Sequence, residues 1–432
     1  MSKVLKRRWQ STLGGSGLPR RHTRPCHYEA YVPDPLVGRK ITLDGSVAAD
    51  VADAEAAIAH LNAEATALVD TEALARILLR AEAVASSRIE GLEIGARRLL
   101  HAEVVRGLSE TTSDVVANEV LNNIDAMVFA IDQVRSGDAI TKGLLVALHG
   151  RLLAGTRLEV HGGRFREEQN WIGGSDYNPC SAAFVPPPPE YVPRLIDDLC
   201  EFCNDDALPA VAQAAIAHAQ FETIHPFVDG NGRAGRALIH MVLRRRGLAH
   251  RVLPPVSLVL ATLARSYIDG LTIYRYVGSA SSPKAIEGLN TWISRFGGAC
   301  TRSVQDALTF ETRVSELEKS WHNRLGRVRA NSATDRILHI LAGAPVLTVD
   351  SAARLLGTTF NPANEAVQRL LSANILRQAN IGRRNRAYEV PEIISAFAAL
   401  ERQLASPDGD TRTSRPSRSG PARRSLSTLD SR

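Results

Sequence analysis

The chain has 432 residues, enough for two or three domains, and 44% of them are apolar, which excludes a wholly disordered polypeptide. The net charge of +6 is unevenly spread: residues 1–24 hold seven Lys/Arg and no acid, and residues 229–269 hold seven Arg with an Asp only at either end. Five scattered cysteines argue against a disulfide framework and for a reducing, cytoplasmic compartment; no apolar run reaches the ~18–20 residues of a membrane helix. No apolar segment follows the basic start, as it would in a secretory signal.

In chain order, residues 1–27 are basic and contain Gly and Ser, and are predicted to be flexible. YEAYVPDPL (28–36) is extended and punctuated by proline. From about Ala48 to Leu100 apolar residues recur at three and four, so an N-terminal helical region is expected over 28–110. Helical patterns follow at 112–134, 139–153, 190–204, 208–224, 231–247, 256–270 and 284–320, defining a core over 111–325. Cys200 and Cys203 form a lone CxxC inside one of these patterns and read as buried helix positions. Within the core, 164–188 differs: FREEQNWIGG and SAAFVPPPP predict two short strands around a polar turn.

Residues 330–400 read as a separate unit. TDRILHILAG, LTVDSAARLLG and NPANEAVQRLLSANIL predict three helices, and LRQANIGRRNRAYEV a strand, basic Gly turn and strand. That is the order of a winged helix-turn-helix. The Ser/Arg/Pro-rich stretch 406–432 is predicted to be disordered. The expected fold class is therefore mainly α: a helical core with a small β-hairpin and a C-terminal winged-helix-like domain.

The chemistry concentrates in HPFVDGNGRAGR, residues 225–236. Residues 230–235 spell G-x-G-x-x-G, but the dinucleotide fingerprint needs a preceding strand and an acid about 20 residues later. Here the preceding VAQAAIAHAQFETI is helical, and no Asp or Glu lies between Gly230 and Ile268. A different phosphate logic fits. Pro226 stops the upstream helix. Gly230 and Gly232 permit a tight loop of inward-pointing N–H groups, and the helix beginning near Asn231 adds partial positive charge. Arg233 and Arg236, three apart, project from the same first turn and suit bidentate phosphate binding. Asp229 offers hard oxygen ligation for Mg²⁺ bridging phosphates. His225 stands at the loop entrance, where it can take a proton from an attacking hydroxyl.

These twelve residues match H-P-F-x-D-G-N-G-R-x-x-R at every defined position, and in this the chain resembles the Fic family. The resemblance implies transfer of AMP from ATP to a Tyr, Thr or Ser hydroxyl of a target protein, an adenylyltransferase and hence a nucleotidyltransferase activity. It implies that His225 deprotonates the acceptor and that Asp229 holds Mg²⁺. Asn231 and the N–H groups of Gly230 and Gly232 would cradle the α-phosphate, Arg233 the phosphates and Arg236 the γ-phosphate, with Phe227 also in the nucleotide-binding set.

A second stretch, SSRIEG (86–91), places Ser86 and Glu90 on one helical face, followed by Gly91. It resembles the Ser/Thr-x-x-x-Glu-Gly/Asn of the family's N-terminal inhibitory helix. The resemblance implies that Glu90, supported by Ser86, pairs with Arg236 and excludes a productive γ-phosphate. It also likens 164–188 to a flap whose edge registers a target segment by β-augmentation, and makes Gly163, Arg166 and Trp171 family-typical.

In the C-terminal unit Arg377, Arg383, Arg384 and Arg386 flank Gly382, and Asn361, Asn364, Gln368 and Arg369 lie on the third helix. DNA binding and protein interaction, including a homodimer, are both open to such a unit. Two further functions compete with AMP transfer. One is AMP removal or another phosphate-group transfer at the same site, and the other is a nucleotide-sensing DNA-binding regulator.

Overall fold

The computed structural model describes residues 1–10, 19, 23–67, 71–108, 114–175, 177–381 and 385–403. The small-residue pattern of AVAQAAIAHAQFETI builds its centre. With little bulk on any face, Ala210–Ile224 (α7) is buried on all sides except at Glu222, its Gln213, His218, Gln220 and Thr223 side chains included. It is followed antiparallel by Asn231–Arg245 (α8), also buried along nearly all its length. The motif is the loop and first turn joining them.

Around this hairpin stand Gly45–Ala67 (α1), Thr71–Ile89 (α2), Ala96–Gly107 (α3), Val115–Asp132 (α4), Lys142–Leu153 (α5) and Val192–Cys203 (α6). Val256–Thr262 (α9), Ala264–Tyr274 (α10) and the long Pro283–Leu325 (α11) close it. α2 and α4 pack on α8, while α6 and α11 pack on α7. The indole N–H of Trp292 on α11 donates to the carbonyl of Ala215 at 2.8 Å, fixing that helix to the centre. Among the described residues, no single helix is long and apolar enough to cross a membrane.

Three expectations need correction. Residues 3–9 are not flexible: Lys3–Trp9 (β1) pairs antiparallel with Cys26–Val32 (β2), from Lys3 opposite Val32 to Trp9 opposite Cys26. The basic residues of β1 are exposed on both of its faces, so the strand lacks the alternation that separates it from a tail. The cysteines are not all free: Cys26 is joined to Cys180, their Cα atoms 5.9 Å apart, while Cys200, Cys203 and Cys300 are free and buried. A pair 154 residues apart leaves no spacing signature. Among its described residues the hairpin at 164–188 has no regular strands. Its arms meet through the bridges Ile172–Phe184 and Ser175–Asn178, and Val185 O accepts from Tyr31 N of β2 at 2.9 Å.

Beyond α11 come Ala333–Ile340 (α12), Val346–Leu347 (β3), Val349–Leu356 (α13), Phe360–Ser372 (α14), Arg377–Ile381 (β4), Asn385–Glu389 (β5) and Pro391–Gln403 (α15). The strands form one antiparallel sheet in the order β3-β5-β4. This part is packed on the rest, with α15 against α2, α3 and α11. Glu389, fully buried, accepts from Arg97 Nε (2.9 Å), lies 3.1 Å from His101 Nε2 on α3, and also binds Arg377. The stretch 406–432 lies outside the described residues.

Candidate active site

The motif loop is shaped by two left-handed residues. His225 ends α7 with φ 50°, and Gly230 opens α8 with φ 76°. The first is uncommon for a residue with a Cβ, the second is what glycine permits. α8 has no side-chain cap, so its first-turn N–H groups have no side-chain acceptor and face the site.

Two expected ligand groups act inward instead. The Asn231 amide closes the loop on itself: its Oδ1 accepts from Phe227 N at 2.8 Å and its Nδ2 donates to Phe227 O at 2.9 Å. The Phe227 ring, expected to face nucleotide, is fully buried and stacks on His149 with centroids 3.8 Å apart. It anchors the loop in the core.

His149, which sequence reasoning missed, holds the loop from behind. Its Nδ1 accepts from Gly163 N (3.2 Å) and its Nε2 lies 3.0 Å from Asp229 O, which assigns the Nε2–H tautomer. Burial lowers its pKa to about 4, so the ring is neutral. Nothing in the helical run around it marks it; only the fold brings residue 149 to residue 229.

Asp229 and Arg233 pair at 2.9 Å, with 47% and 4% of their side chains exposed. The buried Arg233 retains Nε and Nη1 without a hydrogen-bond partner. Buried unpaired guanidinium donors are costly unless something anionic meets them, so this group fits a phosphate. Among the described residues there is no group of three His, Cys, Asp or Glu able to hold a metal ion. Asp229 alone therefore supplies at most one carboxylate, which fits Mg²⁺ held mainly by phosphate oxygens.

Arg236 is 1% exposed and is held by α2 and the turn that follows it. Its Nε donates to Ser86 Oγ (2.8 Å), and Nη2 donates to Ser86 O (2.8 Å) and to Glu90 Oε1 (2.7 Å). Burial pushes the Glu90 carboxyl up, but Arg236 and Arg233 more than offset this and the net shift is downward. Gly91, φ 84°, turns the chain away after α2. Further along the same stripe Glu82, fully buried, meets His240 of α8 at 2.8 Å and accepts from Ser257 N at 2.7 Å. Residues 82 and 86 of α2, with Glu90 just past its end, thus stand opposite 240, 236 and 232 of α8.

His225 is about one-fifth exposed. Burial, then the nearby Arg166, lower its pKa to about 4, against the pull of Glu90. Its Nδ1 is buried without a hydrogen-bond partner, 3.8 Å from the Glu222 carboxylate. Glu222 was also missed: burial pushes its carboxyl up to about 7. Its signal was a lone acid on a helix rich in small apolar residues.

In the C-terminal part, the expected nucleic-acid contacts are partly spent. Arg377 binds Glu389, and Arg369 donates to Arg327 O at 2.7 Å. Asn361 and Gln368 are exposed, and Asn364 half-buried. Gly382, Arg383 and Arg384 lie outside the described residues.

A buried helical pair thus carries, on its connecting loop and the first turn of α8, a neutral histidine, an uncapped helix start and two arginines. Residues 139–243 match the Fic/DOC family, and residues 48–132 match the Fic/DOC family N-terminal region. Over these two stretches the chain is similar to the Fic/DOC family. It is similar to protein adenylyltransferase fic-1 of Caenorhabditis elegans, 34% identical over 133 residues, 30% of this chain and 23% of that protein. It is 46% identical over 68 residues to a probable protein adenylyltransferase of Aquifex aeolicus, 16% of this chain and 21% of that protein. The matches thus span about a quarter or less of these two relatives' own length. In fold it is similar to a Fic family protein from Desulfovibrio desulfuricans G20, with TM-score 0.51, 21% identity, and coverage of 82% of this chain and 98% of that one.

Proposed function

We propose that the protein is a self-inhibited protein adenylyltransferase, transferring AMP from ATP to a hydroxyl of a target protein. The observation that carries this is the pair of arginines: Arg233 has buried donors without partners, while Arg236 has its Nε and Nη2 taken by Ser86 and Glu90. The open guanidinium and the α8 N-terminus would receive phosphate oxygens. Mg²⁺, when bound, would neutralise phosphate charge beside Asp229.

His225 is neutral at pH 7, as a general base must be before it acts. Its Nδ1 is buried, which leaves Nε2 for the acceptor hydroxyl. Attack at phosphorus needs alignment and charge stabilisation more than covalent help, and the loop supplies both. Glu90 competes with phosphate for Arg236 and adds like-charge repulsion toward it. The carboxylate stands at the mouth, 38% exposed, so a signal can reach it without opening the core.

The test is label transfer from α-labelled ATP with Mg²⁺, comparing wild type, Glu90→Gly and Glu90→Gly/His225→Ala on a cell lysate and on the protein itself. Label that appears with Glu90→Gly and vanishes in the double variant supports the reading. Activity lost rather than gained in Glu90→Gly would favour AMP removal, with Glu90 positioning a water. ATP binding without any label would favour a nucleotide-sensing regulator, with α14 of the winged-helix-like part offering Asn361 and Gln368 to DNA.

A further inference from the structure

We propose that Arg166 is a positioning residue for His225, fixing where the imidazole points while tying the 164–188 segment to the motif loop. This rests on the reading of His225 as the base. Arg166 is 3% exposed. Its Nε donates to His225 O (2.8 Å), Nη2 to Ile224 O (3.4 Å) and to Pro187 O, and Nη1 to Glu168 O (3.0 Å). Its own backbone N–H donates to Pro226 O at 2.9 Å.

The last carbonyls of a helix have no intrahelical partner, and a buried cation there is favoured by the helix dipole. Ile224 and His225 end α7, so one guanidinium caps that helix and stabilises the left-handed turn on which His225 sits. Asn170 doubles the hold, donating to His225 O at 3.2 Å and to Phe227 O at 3.0 Å. Glu168 and Pro187 belong to the two arms of the 164–188 segment. The same fork therefore joins both arms to the base. Buttressing a hairpin alone would not require a buried cation on the carbonyl of the reacting residue.

The charge has a second effect. Four ionisable groups face His225: Arg166 from this segment and Arg275 after α10 disfavour its protonation, whereas Glu90 just past α2 favours it and Glu222 on α7 stands 3.8 Å from Nδ1. Burial alone disfavours the imidazolium and holds the base uncharged across the neutral range; Arg166 lowers the midpoint further. Arg166 remains charged there, burial lowering its own pKa only to about 10.

The experiment uses the full chain carrying Glu90→Gly, with Arg166→Gln and Arg166→Lys added separately. The His225 imidazole is titrated by NMR, its resonance assigned by loss in His225→Ala, and label transfer and amide exchange across 164–188 are measured in parallel. Arg166→Gln is expected to raise the His225 midpoint by about one pH unit. Arg166→Lys, keeping charge without the fork, should leave the midpoint in place yet cut kcat about tenfold with little change in KM. It should also quicken exchange in the segment. An unmoved midpoint in Arg166→Gln overturns the charge role. Unchanged kcat and exchange in Arg166→Lys overturn the positioning role, and that variant decides the matter if the Gln variant does not fold. Absence of label in every Glu90→Gly protein would instead refute the adenylyltransferase reading, while the NMR midpoint and exchange still decide what Arg166 does.

Discussion

The Glu90 carboxylate lies across Gly232: a Cβ placed on Gly232 would sit 1.8 Å from Glu90 Oε1, the same oxygen that receives Arg236 Nη2 at 2.7 Å. The proposed inhibitory contact therefore depends on a missing side chain as much as on an ion pair. Gly232→Ala is expected to destabilise the wild-type chain by about 1–3 kcal/mol through overpacking, and less once Glu90 is Gly. Thermal or denaturant melts of the two single variants and the double variant measure the coupling; strictly additive effects would disprove the contact.

Ser86 supports Arg236 through both its hydroxyl and its carbonyl, and only the hydroxyl is lost in Ser86→Ala. Removing one acceptor from a buried guanidinium costs about 1–3 kcal/mol, but Glu90 remains. Label transfer in Ser86→Ala should therefore fall between wild type and Glu90→Gly. A rate equal to either limit would show that Ser86 plays no graded part.

Glu82 anchors α2 to α8 and α9 through His240 and Ser257, all three fully buried. Glu82→Ala leaves the Ser257 N–H and the His240 ring unmatched, so a loss of about 2–4 kcal/mol is expected, with the same release of activity as a loosened α2. Lower stability with unchanged label transfer would separate the anchor from the control of Arg236.

Acid should destabilise the fold. Burial holds His149 at about 4, His218 at about 3 and His225 at about 4, all below the ordinary 6.5. Below pH 6.5 the unfolded chain binds protons that these folded histidines refuse, so stability falls as pH drops from 6.5 toward 4. Glu222, pushed up to about 7, works in the opposite sense between its ordinary 4.5 and 7. Three histidines outweigh one carboxyl, and Tm is expected to fall on acidification below 6.5. A Tm flat or rising between pH 6.5 and 4.5 contradicts the neutral histidines.

The Cys26–Cys180 link spans 154 residues and ties β2 to the 164–188 segment. On the chain-entropy account such a bond contributes about 4–5 kcal/mol. Reduction should lower Tm and speed proteolysis within 164–188, both reproduced by Cys180→Ser without reductant. Identical melts in oxidised and reduced protein would show that the link does not stabilise the fold.

Much of the site is local and could be read directly. The motif occupies twelve consecutive residues because a loop that turns twice and opens a helix needs His, Pro, Asn and Gly in immediate succession. Ser86 and Glu90 share a face by helical period alone, and α7, α8 and α11 follow from apolar spacing. What the side chains of that motif do was decided by packing. Asn231 is drawn inward to satisfy the Phe227 backbone, and Phe227 is buried because His149 arrives from a helix far away in sequence. Cys26 finds Cys180, Arg377 is taken by Glu389, and Arg166 reaches the carbonyl of His225. Dihedral preference and periodicity act between near neighbours and are written in short stretches. Which buried donor meets which acceptor depends on segments brought together only when the core closes, and there tertiary structure had the decision.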